Sequence, residues 1–473
     1  MDNLNRLREL LVDEKGTLKY GDFGVLGIDS KDVEGLSGEL YLLKRAGDQS
    51  LNISESHDKE LVIRRLKNGL KNNQAVLDSL WEKLNTGIWK DTPIYLRCLF
   101  SHASLVKAFI LLSISVYHGE IKDPKCSLEY TRAALKSVDL GILLGMPTPD
   151  LTTAAQIILQ VLNMLASRKE SGGLCVDRPH KKIKMDSLEI SDSPQHPNVA
   201  EIGETTSITH SLMERPWREW GKPRTVPVLF RPSLEQFYAE HYLRRLPAIL
   251  QGCLDHWPAL SSWSPSYLAK VAGNRTVPVE LGPNYVHPTW GQKLMAVGEF
   301  VEQHMVPPED APPHEGIDKP IGYLAQHPLF EQVPELRNDI KIPEYCCLSE
   351  ESDSATDAEV EPDINAWFGP KGTVSPLHYD PKHNLLAQVV GTKRVILYSS
   401  DDSEYLHPYE GQMLSNTSQV DPEDPKILEK FPDVSSAQAW ECEIRAGDML
   451  YIPRCWWHHV RSLSTSFSVS FWW

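Results

Sequence analysis

The sequence predicts an α+β chain, with an all-α N-terminal part followed by a β-rich part of sandwich or jelly-roll type. Two patterns carry this. Through about residue 167, apolar residues recur at helical spacing. From about Glu214, tryptophan, proline and short β-type runs between Gly/Pro turns take over, the texture of a sandwich, barrel or double-stranded jelly roll. A length of 473 residues exceeds one ordinary core and fits two or three domains.

In the first part, Leu4, Leu7, Leu10 and Leu11 fall on one helical face. So do Val76, Leu77, Leu80, Trp81 and Leu84, and later Leu128, Ala133, Leu135, Val138 and Leu140. Pro93, Pro124 and Pro147 sit where helices should begin or end. The picture for residues 1–167 is an array of antiparallel helical hairpins, serving interaction or positioning, or simply adding stability. Its longest apolar stretch, Leu105 to Tyr117, is interrupted by Lys107 and serines. It is too short and too polar to span a bilayer and reads as a buried helix.

Residues 168–213 read as a linker: Ser187 to Ser211 is rich in Ser, Thr, Pro and acidic residues, with little to bury. Arg168-Lys169 and Lys181-Lys182-Ile183-Lys184 have the spacing of a bipartite nuclear localisation signal, or are a solvated charge run.

In the third part, 214–473, Val226–Phe230 is a strand candidate. Ser233-Leu234-Glu235-Gln236 is a capping-box pattern opening a helix that ends before Pro247. Thr276–Leu281, Asn384–Val390, Lys393–Tyr398, Met449–Ile452 and Ser466–Trp472 read as strands. The acidic stretch Glu350 to Asp363 contains no basic residue and reads as a solvated loop.

Bulk composition excludes some classes. A formal net charge of -16 argues against a general nucleic-acid binder. It suits a basic protein or peptide partner, or simply a soluble acidic surface. The eight cysteines include no C-x-x-C pair, which argues against a zinc ribbon, and their sparseness fits a reducing compartment. The first ten residues, MDNLNRLREL, lack a signal-peptide core.

The chemistry concentrates in His378-Tyr379-Asp380. With 17 His and 64 acidic residues, chance alone gives roughly 2 H-x-[DE] matches, and the chain has two. In an extended strand, positions i and i+2 face the same way, so His378 and Asp380 share one wall. The other match, His118-Gly119-Glu120, lies where an apolar helix ends, where i and i+2 diverge. A third ligand should come from a neighbouring strand carrying His458-His459. Both cannot face one metal in an extended segment, and spacing does not choose between them. Two imidazoles and one carboxylate leave coordination positions open, which suits Fe(II), O₂ and a bidentate oxo-acid. Such an acid needs a cation at its far end. Val390-Gly391-Thr392-Lys393 fits a two-residue hairpin that would put Lys393 beside the ligand strands. Arg394 should then face the other way, and a carboxylate partner is expected for a buried Lys393. In the last strand, Ser466, Ser468, Ser470 and Trp472 share a small, polar face that could line a cavity.

These segments together resemble the JmjC-domain oxygenases, of cupin-like double-stranded β-helix type. The segments are Asn365-Ala366-Trp367-Phe368-Gly369-Pro370, Thr373 through Asp380, the turn through Lys393, Gly447 through Pro453, Trp456-Trp457-His458, and the terminal Ser466 to Trp473. The resemblance spans about Glu214 to Trp473. It implies His378, Asp380 and His458 as Fe(II) ligands. It implies Tyr323, Ser375, Asn384, Lys393 and Trp472 as the 2-oxoglutarate pocket, and Trp367 on the substrate side. It further implies consumption of O₂ and 2-oxoglutarate to hydroxylate arginine side chains of basic protein or peptide substrates, with a nuclear role in chromatin and transcription. Methyl-lysine demethylation of histone H3 is the alternative; a histone-tail peptidase and a silent binding module are more distant ones. Neither nucleic acid nor membrane is implied as a partner.

Overall fold

The computed structural model describes residues 2–13, 18–19, 35–51, 58–86, 92–120, 124–171, 222–305, 320–349, 361–411 and 414–473. Lys181–Lys184 and most of the acidic stretch lie outside them; Asp363, its last residue, opens a strand instead.

The N-terminal helices are α1 (Asp2–Leu11), α2 (Ser37–Leu51), α3 (Lys59–Leu84), α4 (Ile94–Glu120), α5 (Pro124–Leu144) and α6 (Pro149–Ser171). Each proline acts as expected: Pro93 precedes α4, Pro124 opens α5, and Pro147 separates α5 from α6. Asp58 caps α3 by accepting from the Glu60 and Leu61 amides at 3.0 and 3.1 Å. α4 is long and apolar enough to cross a membrane, but 83% of its most apolar window is buried inside the protein. It is the central helix of the array's core. Two side chains depart from the expected faces: Trp81 is 45% exposed, and Ala133 is exposed while Ala134 takes the core position. His118 and Glu120 lie in α4, where His118 stacks on Tyr130, so this pair is not a ligand set.

The C-terminal part holds strands β1 (Arg224–Thr225), β2 (Val228–Phe230), β3 (Ala248–Gln251), β4 (Thr276–Leu281), β5 (Gly291–Ala296), β6 (Gly322–His327), β7 (Asp363–Gly369), β8 (Val374–Tyr379), β9 (Asn384–Val390), β10 (Thr392–Tyr398), β11 (Trp440–Arg445), β12 (Met449–Ile452), β13 (Trp457–Ser462) and β14 (Ser466–Trp472). They form a five-stranded sheet, β1-β11-β10-β13-β8, and a nine-stranded sheet, β2-β3-β12-β9-β14-β7-β6-β4-β5. The expected strand 226–230 is shortened to β2, which starts after Pro227, a residue that cannot donate to a ladder. Ser233 caps the predicted helix by accepting from Gln236 N at 3.2 Å.

The predicted β9–β10 hairpin is not formed. β9 belongs to the nine-stranded sheet and β10 to the five-stranded one, so Gly391 turns the chain from one sheet to the other. Its φ is +77°, and a Cβ there would lie 1.9 Å from Thr465 O. Tight corners between sheets are how this architecture closes, and only glycine fits this one.

Alternation in the last strand holds. Ser466, Ser468 and Ser470 are buried among the strand's polar partners, while Phe467, Val469 and Phe471 enter the main apolar core. Gln388 satisfies two of those serines, donating to Ser466 Oγ at 2.9 Å and accepting from Ser468 Oγ at 2.7 Å.

Candidate active site

β8 and β13 pair antiparallel with His378 opposite His458, their rings 4.2 Å apart between centroids. The same local device orients both. His378 Nδ1 lies 2.7 Å from Pro376 O and His458 Nδ1 3.0 Å from Trp456 O. A carbonyl can only accept, so each Nδ1 carries a proton, and in the neutral ring Nε2 is the nitrogen with the lone pair. Burial, reinforced by the neighbouring His378, pushes His458 down to about 4, leaving it neutral near pH 7.

Asp380 completes the group. Its Oδ2 is buried without a hydrogen-bond partner and lies 3.6 Å from His458 Nε2. One donor atom from each of His378, Asp380 and His458 falls within 4.8 Å of the others. A buried carboxylate oxygen without a partner, facing two free imidazole nitrogens, is a set a divalent cation would satisfy.

The histidine pair resolves by strand geometry. His458 shares the inner face of the five-stranded sheet with Val460 and Lys393, whereas His459 lies opposite Ile396 on the outer face. The β8–β13 register shifts between His458 and Val460, next to Pro376, which has no amide to donate. His459 Nε2 points towards Glu423 at 4.0 Å, and Glu423 also pairs with Arg394 and Arg461. Burial alone would raise the Glu423 carboxyl; Arg461, His459 and Arg394 together hold it below its ordinary value. Asp421, Glu423 and His459 also converge, but the two guanidiniums already compensate the carboxylate and disfavour a cation there.

On the inner face, Lys393 is 1% exposed, and its Nζ donates to the Tyr323 hydroxyl at 3.2 Å. The carboxylate partner expected for it is absent among the described residues. Burial pushes Lys393 down to about 7. Burial and the Glu280 charge push the Tyr323 phenol up, opposed by the Ser375 hydroxyl. Asn384 and Trp472 face each other across β9 and β14. Asn384 Oδ1 and Trp472 Nε1 are both buried with no protein partner. Trp367 Nε1 donates to Ser470 Oγ at 2.9 Å. All nine side chains singled out in the sequence line one cavity: His378, Asp380, His458, Tyr323, Ser375, Asn384, Lys393, Trp472 and Trp367.

A cupin-like domain model matches residues 234–473, just over half of the chain. The two sheets are those of that fold. The chain belongs to the JmjC family of cupin-like proteins. It is similar to lysine-specific demethylase 8 of Xenopus tropicalis, 38% identical over 419 residues, 85% of this chain and 87% of that protein. It is similar to lysine-specific demethylase 8 of Danio rerio, 40% identical over 406 residues, 85% and 86% of the two chains. It also resembles Jumonji C domain-containing protein 5 of Drosophila melanogaster, 35% identical over 436 residues, 92% of each. JmjC enzymes use Fe(II) and 2-oxoglutarate, and the donor set here fits such an iron.

One side of this JmjC site escaped the sequence reading. Glu280 pairs with Tyr323 across β4 and β6. Burial raises its carboxyl. Tyr285 packs edge-on to His378, 6.4 Å between centroids, and its hydroxyl sits 3.3 Å from Thr417 Oγ1. Burial pushes that phenol up to about 12, and the nearby Asp380 and Glu280 charges push the same way. The signal was present: Val277 and Val279 take the core face of β4, which leaves Glu280 on the opposite one.

Proposed function

We propose that this JmjC chain is an Fe(II)- and 2-oxoglutarate-dependent oxygenase that hydroxylates arginine side chains of protein substrates. His378, Asp380 and His458 would hold the iron. Lys393 and Tyr323 would take the distal carboxylate of 2-oxoglutarate. Asn384, Ser375 and Trp472 would line its pocket, the orphaned Asn384 Oδ1 and Trp472 Nε1 offering polar contacts. Bound iron supplies O₂ activation coupled to oxidative decarboxylation of 2-oxoglutarate to succinate.

The observation that carries the arginine reading is Glu280, a half-buried carboxylate near Tyr285 and Trp290 and opposite the cavity-lining Tyr323 on the next strand. Its burial is unfavourable alone and is relieved by a cation. A guanidinium offers N–H donors in the fork geometry a carboxylate accepts and stacks on aromatic faces. Trp367, tilted 6.2 Å from Tyr323, would form another wall. Each methyl on a lysine ammonium removes a donor that Glu280 could use.

A second reading is methyl-lysine demethylation of histone H3, which has the relatives' names in its support. The two differ in product. Purified protein with iron, 2-oxoglutarate and matched arginine and methyl-lysine peptides should add one oxygen to the arginine peptide, without formaldehyde, and Glu280→Gln should abolish this. Formaldehyde with methyl loss instead would overturn the arginine reading. The cationic substrate proposed and the basic clusters at Arg168-Lys169 and Lys181–Lys184 together support a nuclear, chromatin-linked role.

A further inference from the structure

Asp139, on α5, is wholly buried although it belongs to the helical array and lies far from the cavity in sequence. Its carboxylate reaches into the β-rich part and accepts four hydrogen bonds there. Arg275 donates from Nε at 2.9 Å and from Nη2 at 2.7 Å, Gln332 Nε2 at 2.9 Å, and the Thr276 amide at 2.6 Å. Arg275 is 2% exposed and Gln332 1%. Every further group in the network is matched. Arg275 Nη1 donates to Gln332 O, and Gln332 Nε2 also donates to Thr276 O at 2.8 Å. Gln332 Oε1 meets His327 Nε2 at 2.8 Å.

This carboxylate holds the start of β4 by the Thr276 amide and, through Gln332, the His327 side chain at the end of β6. β4 and β6 run antiparallel, and their other ends meet where Glu280 pairs with Tyr323. Four residues separate anchor from site on each strand, roughly 13 Å at ~3.3 Å per residue along the extended β4. β6 needs such an anchor. Its ladder to β7 breaks between Leu324 and His327, and Gln326 sits at φ +46°, a left-handed conformation that a non-glycine residue holds only when its surroundings enforce it.

We infer that Asp139 is a positioning residue for the oxygenase site, so that the helical array is a working part of the catalytic unit and not only a tethered interaction module. The inference rests on the proposed roles of Tyr323 and Glu280. The Asp139 carboxylate fixes where β4 begins and β6 ends, and thereby where Glu280 and the Tyr323–Lys393 pair stand relative to each other. A buried, fully paired charge suits this, because such networks specify one geometry and are poor at supplying net stability.

Two full-length variants test it: Asp139→Asn, which leaves Arg275 buried without its counter-charge, and Asp139→Leu/Arg275→Met, which removes both charges. Both are compared with wild type below their melting temperatures. The expected result in both is faster amide hydrogen exchange in 276–281 and 322–327, with exchange in 384–390 unchanged. The KM for 2-oxoglutarate should rise about fivefold or more, with kcat changed far less. The double variant should recover melting temperature relative to Asp139→Asn yet keep the raised KM, which a merely structural role would not give. Wild-type exchange in both strands, or a wild-type KM in either folded variant, overturns the inference. The exchange measurement needs no turnover, so a wild-type chain that consumed no 2-oxoglutarate would sink the functional proposal alone.

Discussion

His458 and His459 are adjacent, both buried and both pushed down to about 4 by burial, yet they face different groups. One faces Asp380 and the other Glu423. His378→Ala and His458→Ala should each abolish 2-oxoglutarate consumption while circular dichroism stays native; His459→Ala should retain most of it. A more damaging change at 459 than at 458 would show the ligand assignment to be wrong. Lys393 gives a second residue-level test. Burial holds it near 7, against about 10.4 for a free lysine. Only the ammonium form pairs with a carboxylate, so the KM for 2-oxoglutarate should climb as pH rises above about 7. Between about 7 and about 10.4 the native side chain is neutral and the unfolded one charged. The unfolded state then binds the extra proton, so this group's contribution to stability rises with pH across that window. Lys393→Met should therefore melt higher than wild type below neutral pH, lack that part of the pH slope, and bind 2-oxoglutarate far more weakly. A Met variant that melts lower would mean that the buried ammonium is compensated in the free protein.

At the scale of elements, Gly391 shows what a pattern can and cannot report. The Val-Gly-Thr-Lys sequence marks a tight turn, and a tight turn is there; which strands it joins is decided by pairing with β12, β13 and β14, far along the chain. Lys393 still reaches the cavity, because period-two alternation fixes its face whichever sheet receives it. Gly391→Ala would place a methyl 1.9 Å from Thr465 O at φ +77°. The left-handed backbone alone costs about 1–2 kcal/mol, and the clash adds to it. Chemical denaturation should show a loss of at least that size, with a raised 2-oxoglutarate KM as the corner shifts Lys393. The strands that were legible carry strong alternation or apolar runs: β4, β9, β10, β12 and β14. The strands not identified from pattern include β3, β6 and β11. These are short, broken by bulges or mixed in polarity, and their pairing comes from distant segments. The helical faces were legible to within a residue, and the misplaced Trp81 and Ala133 each sit at the margin of an apolar stripe.

At the scale of the molecule, Tyr323, Ser375 and Asn384 came only with the family resemblance, while the candidate residues His378, Asp380 and Lys393 could be found from strand alternation and a turn motif. The Asp139–Arg275 pair could not, since its members are 136 positions apart and neither has a local pattern. Glu280 falls between: the strand was visible, but its pairing with the cavity-lining Tyr323 depends on β6. Net charge is a property of the whole chain and was readable at once. At -16 it supplies a field attractive to the basic substrates proposed, and that field is screened with a Debye length of about 10 Å at 0.1 M salt. Long-range attraction acts on encounter more than on the bound complex. For an arginine peptide with basic flanks, kcat/KM should therefore fall as sodium chloride rises from low to physiological concentration, while kcat at saturation stays nearly level. A peptide with the same arginine and neutral flanks should show a much shallower fall, because it keeps the Glu280 contact and loses only the distant attraction. Equal salt dependence for the two peptides would assign the effect to the site itself; salt-independent kcat/KM for both would show that the acidic surface plays no part in substrate capture.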